Sequence, residues 1–289
     1  MKYQMIERCR EAFPVRMMCR LLKVSPSGFY DWLEREPSAR ELANEALLTR
    51  IEEIHELSDG VMGAPRIHDE LRDEGFVCSK NRVARLMKQR DIQGIPQKRQ
   101  WRRKKSASRP LGIANELERN FEATRPNQKW VTDITYIKTG EDNLYLCIVK
   151  DLYWGGIVGW SMSARQTREI VIQAVLMALW QRDGREPVIL HSDRGTQFTS
   201  AEYQQFLKGH NITCSMSAVG SCADNASAEG FFGQLKRERI RRRRYETRAE
   251  ARSDVFDYIE RFYNPLKERQ LERRTGNRLR FTEPSVETG

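Results

Sequence analysis

The 289-residue chain has no apolar run approaching the ~20 residues that a bilayer-spanning helix requires, so a transmembrane protein is excluded as a class. Its first ten residues, M-K-Y-Q-M-I-E-R-C-R, carry charge where an export leader has its apolar centre. The expectation is a soluble, cytoplasmic protein. Cysteine pairs are absent as well: the six cysteines are scattered singles with no C-x-x-C, and the four histidines have no zinc-ligand spacing. That argues against a disulfide framework and a structural zinc site alike. Acidic charge is in deficit, with 40 Asp and Glu against 50 Lys and Arg, a formal net charge of +10. A surplus of this size favours an anionic polymer as partner.

Organisation follows from periodicity and punctuation. In residues 1–40, Val15, Met18, Leu21 and Leu22 recur at helical spacing, and K-V-S-P-S-G-F-Y-D-W-L follows. Ser25 can cap a helix with Pro26 at its first position, which makes a helix-turn-helix-like pattern. Residues 41–95 repeat the theme with helices expected near 42–57, 66–74 and 80–90, the second ended by Gly75 and the third capped by Ser79. Lys80, Arg82 and Arg85 stud that last helix and suit a phosphate-lined groove. Residues 96–120 form a basic linker in which Arg103 and Lys104 are candidates for tracking a DNA backbone. From Lys129 three strand-like runs, broken by T-G-E-D-N and other short turns, precede an alternation of helix and strand. The expected order is β-β-β-α-β-α-β-α, a mixed five-stranded α/β sheet over 121–265, followed by a basic tail over 266–289.

Three acids stand out in that sheet. Asp133 lies mid-strand in W-V-T-D-I-T-Y-I, where alternation places it on one face with Thr135 and Ile137. Asp193 ends the apolar run V-I-L-H-S-D, and Glu229 follows in D-N-A-S-A-E-G-F-F-G-Q-L-K after thirty-five intervening residues. Taken singly, Asp133 could bond local backbone or an arginine, Asp193 could open a D-R-G turn, and Glu229 could be a solvated helical residue. Taken together, one in a strand, one at a strand end and one on a helix, they suggest a divalent-metal site. Lys236 lies seven residues after Glu229, two turns on along the same helix face, and Asn225 precedes Glu229 by four.

These motifs resemble the integrase-type catalytic core of bacterial insertion-sequence transposases, more narrowly the second-reading-frame protein of the IS-three family. The segment G-A-P-R-I-H-D-E-L…R-V-A-R-L-M resembles that family's upstream helix-turn-helix. The resemblance implies a ribonuclease-H-like fold, metal binding by Asp133, Asp193 and Glu229, and a DNA contact by Lys236. It implies Mg²⁺ or Mn²⁺, two ions for two-metal phosphoryl transfer, and double-stranded DNA as substrate. It also implies a homo-oligomer, at least a dimer when active, and a first-reading-frame partner protein or frameshift fusion. Residues 217–224 and the tail after Pro265 depart from the family's pattern. A catalytically silent DNA-binding regulator of transposition is the main alternative. The fragment His191-Ser-Asp-Arg194, with Tyr245, Tyr258 and Tyr263 downstream, leaves a tyrosine recombinase as a minor one.

Overall fold

A computed structural model describes residues 2–96, 122–182, 186–193, 196–216 and 226–278. The chain divides into two compact units, Met1–Gln97 and Lys98–Gly289. Arg103, Lys104, Asn225 and the loop 217–224 lie outside the described residues. No helix among the described residues is long and apolar enough to cross a membrane.

The first unit is all helix. Helices α1 (Lys2–Cys9), α2 (Val15–Leu22) and α3 (Pro26–Leu33) close on Ile6, Met18, Cys19 and Phe29. Lys23 takes a left-handed turn between α2 and α3, and the Ser25 hydroxyl accepts from the Gly28 amide. Helices α4 (Ala39–Leu57), α5 (Ala64–Asp73) and α6 (Lys80–Gln89) follow. A reciprocal capping box, Ser38 with Glu41, starts α4 three residues before the expected point. Ile51, Ile67, Leu71, Val83 and Leu86 are buried between the three. Gly75 takes the positive φ that lets the chain turn out of α5, and Ser79 caps α6 by accepting from the Arg82 amide.

The second unit is built on a five-stranded sheet in the order β3-β2-β1-β4-β5. Strands β1 (Lys129–Thr139), β2 (Asp142–Asp151) and β3 (Ile157–Ser163) form an antiparallel meander, whereas β4 (Val188–Ser192) and β5 (Ile212–Met216) add parallel to β1. Each parallel step needs a crossover, supplied by α7 (Arg168–Trp180) and by α8 (Thr196–Thr199) with α9 (Ala201–Gly209). Period-two alternation gives the sheet two apolar faces. Trp130, Cys147, Val149 and Leu190 pack with Ala174, Ala178, Tyr203 and Leu207 of α7 and α9. Val131, Ile137, Leu146 and Ile148 share the other core with α10 (Ala226–Glu238), α11 (Arg248–Phe256) and a π-helical stretch, Asp257–Tyr263.

The chain beyond 265 differs from a simple tail. Asn264–Thr275 is a helix, α12, whose Leu266 and Leu271 are buried. It carries few apolar residues, so its sequence reads as solvated, yet tertiary contacts fix it. The buried Asn264 side chain accepts from the Ile157 amide at 2.8 Å and donates to the Ile157 carbonyl at 2.9 Å. That two-way bond ties the start of β3 to the start of α12.

Candidate active site

Asp133 and Asp193 are brought level by the sheet. Across the parallel β1–β4 ladder Val131 pairs with His191, and each aspartate stands two residues further on. Neighbouring strands lie about 4.8 Å apart, so two acids at this register share one end of the ladder. Asp193 follows the last residue of β4 and is exposed; Asp133 is mostly buried. Glu229 sits in the first turn of α10, where the helix dipole favours a carboxylate. Phe231, Phe232 and Leu235 anchor that helix on the core shared with Val131 and Ile137 of β1.

The other two acids and Lys236 lie within electrostatic reach of Asp133. Burial, followed by the charges of Asp193 and Glu229, pushes the Asp133 carboxyl up to about 7, against opposing pulls from the Ile134 amide and Lys236. The Ile134 amide donates to Asp133 Oδ1 at 2.7 Å. Among the described residues no three His, Cys, Asp or Glu side chains stand close enough to hold one metal ion as they are. The donor set nevertheless fits a hard cation, being three carboxylates and no sulfur or imidazole.

Lys236, two turns past Glu229 on α10, lies within electrostatic reach of Asp133. Burial and the Arg241 guanidinium push its amine below the ordinary lysine value, while Asp133 pulls the other way. Its Nζ lies 5.3 Å from the centre of the Tyr136 ring, a cation–π contact. Tyr136 escapes a sequence reading because the two are a hundred residues apart.

Lys150 was equally hidden. It stands near the end of β2, mostly buried, and its Nζ donates to the Ser227 carbonyl at 3.0 Å, in the turn that carries Glu229. Burial, then Lys267, pushes it down to about 8. Replacing Lys150 with methionine should speed amide exchange through the first turn of α10 by about tenfold, the value of one such bond. Unchanged exchange there would mean that packing alone holds the helix.

The other expected contacts divide. On α6, Lys80 and Arg85 are exposed and form no ion pair among the described residues, as does Lys88. Arg82 is partly committed to the fold, since its Nε donates to Asn44 Oδ1 of α4 at 2.9 Å. The tyrosine-recombinase pattern does not survive as a site. His191 is fully buried with Nδ1 2.9 Å from Ser215 Oγ. Tyr258 and Tyr263 are core residues, and the buried Tyr245 hydroxyl is bonded to Asp254. None of these tyrosines presents a nucleophile to DNA.

Comparison with known proteins speaks to the family of the chain. Residues 123–222 and 229–277 each match an integrase core domain family, and residues 41–100 match an HTH-like domain family. The chain is 41% identical over 269 residues to "Transposase InsF for insertion sequence IS3A" of Escherichia coli (strain K12), covering 91% of this chain and 92% of that protein. It is 38% identical over 248 residues to "Insertion element IS600 uncharacterized 31 kDa protein" of Shigella sonnei, covering 86% of this chain and 91% of that protein. Among solved structures, the catalytic domain of Mos1 mariner transposase aligns with a TM-score of 0.43 at 13% identity, over 51% of this chain and 76% of that one. With its helical HTH-like region and its ribonuclease-H-like integrase core, the chain belongs to the IS3 family of insertion-sequence transposases.

Proposed function

We propose that the second unit frees a DNA 3′ end at the boundary of an insertion sequence and joins it to a new phosphodiester, with Asp133, Asp193 and Glu229 as the metal-holding carboxylates. The observation that carries this is the sheet register, which sets Asp133 and Asp193 each two residues past the paired Val131 and His191, with Glu229 and Lys236 of α10 both within electrostatic reach of Asp133. A pair of Mg²⁺ or Mn²⁺ ions held there supplies activation of the attacking oxygen and charge stabilisation at the leaving one.

The protein's own groups do the rest. Asp133, held by the Ile134 amide, presents its remaining carboxylate oxygen from a rigid strand, which fixes its position better than a loop could. Glu229 enters from a helix anchored by Phe231 and Phe232, and Lys150 steadies its first turn. Lys236, partly desolvated, offers a positive charge to a phosphate next to the acids, where it counts for more than in open water.

The helical unit supplies sequence-independent grip on duplex DNA through the exposed Lys80, Arg85 and Lys88 of α6. Joining two element ends calls for at least two copies of the chain. Those copies act in the bacterial cytoplasm, with a first-reading-frame protein or frameshift fusion supplying a further end-recognition module. The test is strand transfer by Glu229→Gln with Mg²⁺. The rate should fall about a hundredfold or more, and a rate near that of the unaltered protein overturns the assignment.

A further inference from the structure

Beyond the acids, α10 runs into a basic strap. Ile240–Arg242 is a 3₁₀ turn, and the chain then extends through Arg243 and Arg244 to the buried Tyr245. Between this strap and the hairpin end of β1 lies a groove of about 530 Å³. It begins at Lys236, beside the acids, and continues past Tyr136 and Lys138 to Arg241, Arg243 and Arg244. Among the described residues its lining includes no carboxylate, although Glu246 lies close to Gly140 at its edge.

The cations are unequal. Arg243 is bonded to Asp254, and Arg244 pairs with Glu246 at 3.2 Å while remaining almost fully exposed. Lys138 and Arg241 are exposed and form no ion pair among the described residues. Tyr136 leaves half of its surface in water, a large exposure for an aromatic residue on a central strand. Like charges gathered along one groove repel, and Arg241 already depresses the Lys236 amine. Folding gains little from placing Lys138 and Arg241 here, whereas an anionic chain passing through the groove meets both.

We propose that this groove binds the sugar–phosphate backbone of an unpaired DNA strand leaving the three acids, with Lys138 and Arg241 on its phosphates and Tyr136 beneath its bases. The proposal rests on the DNA-joining reading above, since it is that chemistry which produces a free strand at this end of the sheet. A single strand fits better than a duplex because an exposed ring needs an exposed base face, which paired DNA keeps stacked. The volume falls within the roughly 300–1,000 Å³ typical of small-ligand sites, enough for a short stretch of strand rather than a helix.

The test uses the full chain in EDTA with two fluorescein-labelled probes, a blunt duplex and the same duplex with a single-stranded 3′ extension. The unaltered protein should bind the extended probe about tenfold more tightly. The double variant Lys138→Gln/Arg241→Gln should lose that preference, bind the blunt probe as before, and show a salt slope for the extended probe smaller by about 1.4, two single-strand phosphate contacts. Tyr136→Ala should lose part of the preference with no change in salt slope. Equal binding of both probes by the unaltered protein, or an unchanged preference in the double variant, overturns the proposal. Equal displacement of the extended probe by oligoglutamate and by oligothymidylate also overturns it, reducing the groove to a general anion surface. Because no metal is present, Glu229→Gln should keep the preference even as it loses strand transfer, so failure of the groove and failure of the three-acid reading give different results.

Discussion

Asp133→Asn should make the metal-free protein more stable while abolishing strand transfer. A carboxyl pushed from its ordinary value of 3.8 up to about 7 resists ionisation in the fold but not in the unfolded chain. The sign follows directly. Below pH ~4 the group is protonated in both states and costs nothing. As pH rises from there to about 7 only the unfolded chain ionises it freely, so the fold loses stability across that window, and above it the loss is complete. At about one and a third kcal/mol per pH unit the full loss is ~4 kcal/mol, of which water reaching the site relieves part. Asparagine keeps an oxygen for the Ile134 amide and removes the charge. Urea denaturation in EDTA at acidic and alkaline pH checks this. The variant should exceed the unaltered protein by about 2–4 kcal/mol near pH 8 and by little near pH 4. The same change should cost strand transfer about a thousandfold or more, because a neutral amide is a poor ligand for a hard cation. A variant less stable than the parent at alkaline pH would show that the acid is compensated by its surroundings.

The second large effect is purely steric. A Cβ added to Gly159 of β3 would stand 2.1 Å from the Ala174 carbonyl oxygen and 2.8 Å from the Ala178 nitrogen, both backbone atoms of α7. No rotamer relieves that contact, so α7 has to lift from the sheet and open the core formed with Val149, Val158 and Val175. Gly159→Ala should destabilise the second unit by about 3 kcal/mol, and Gly159→Val by more. For a unit of this size that corresponds to roughly 10 °C in melting temperature. A loss below about half a kilocalorie would mean that α7 slides without cost, contrary to the close packing of its small residues.

The sheet and the acids were legible because their signals are local. Alternation in β1, turn residues after it and the short apolar run of β4 identify strands without tertiary knowledge, and the Ser25 and Ser79 caps mark helix starts. The spacing of Asp133, Asp193 and Glu229 is likewise written along the chain. What escaped depends on residues far apart in sequence. Lys150 reads as an ordinary strand-end lysine until α10 covers it. Arg82 reads as a free base until Asn44 takes its Nε. The groove joins β1 to a strap a hundred residues downstream. The π-helical turn and α12 are hardest of all, since Asp257–Tyr263 and the charged helix after it are held by buried aromatic rings, Asn264 and two leucines rather than by any apolar stripe.

That late helical layer has a consequence for the order of events during synthesis. Val255, Tyr258, Ile259 and Tyr263 complete the core on which α10 rests, and Leu271 reaches the core on the opposite face. A nascent chain therefore lacks a settled Glu229 until nearly all of the second unit has left the ribosome, whereas the helical unit at the other end can fold early on contacts of its own.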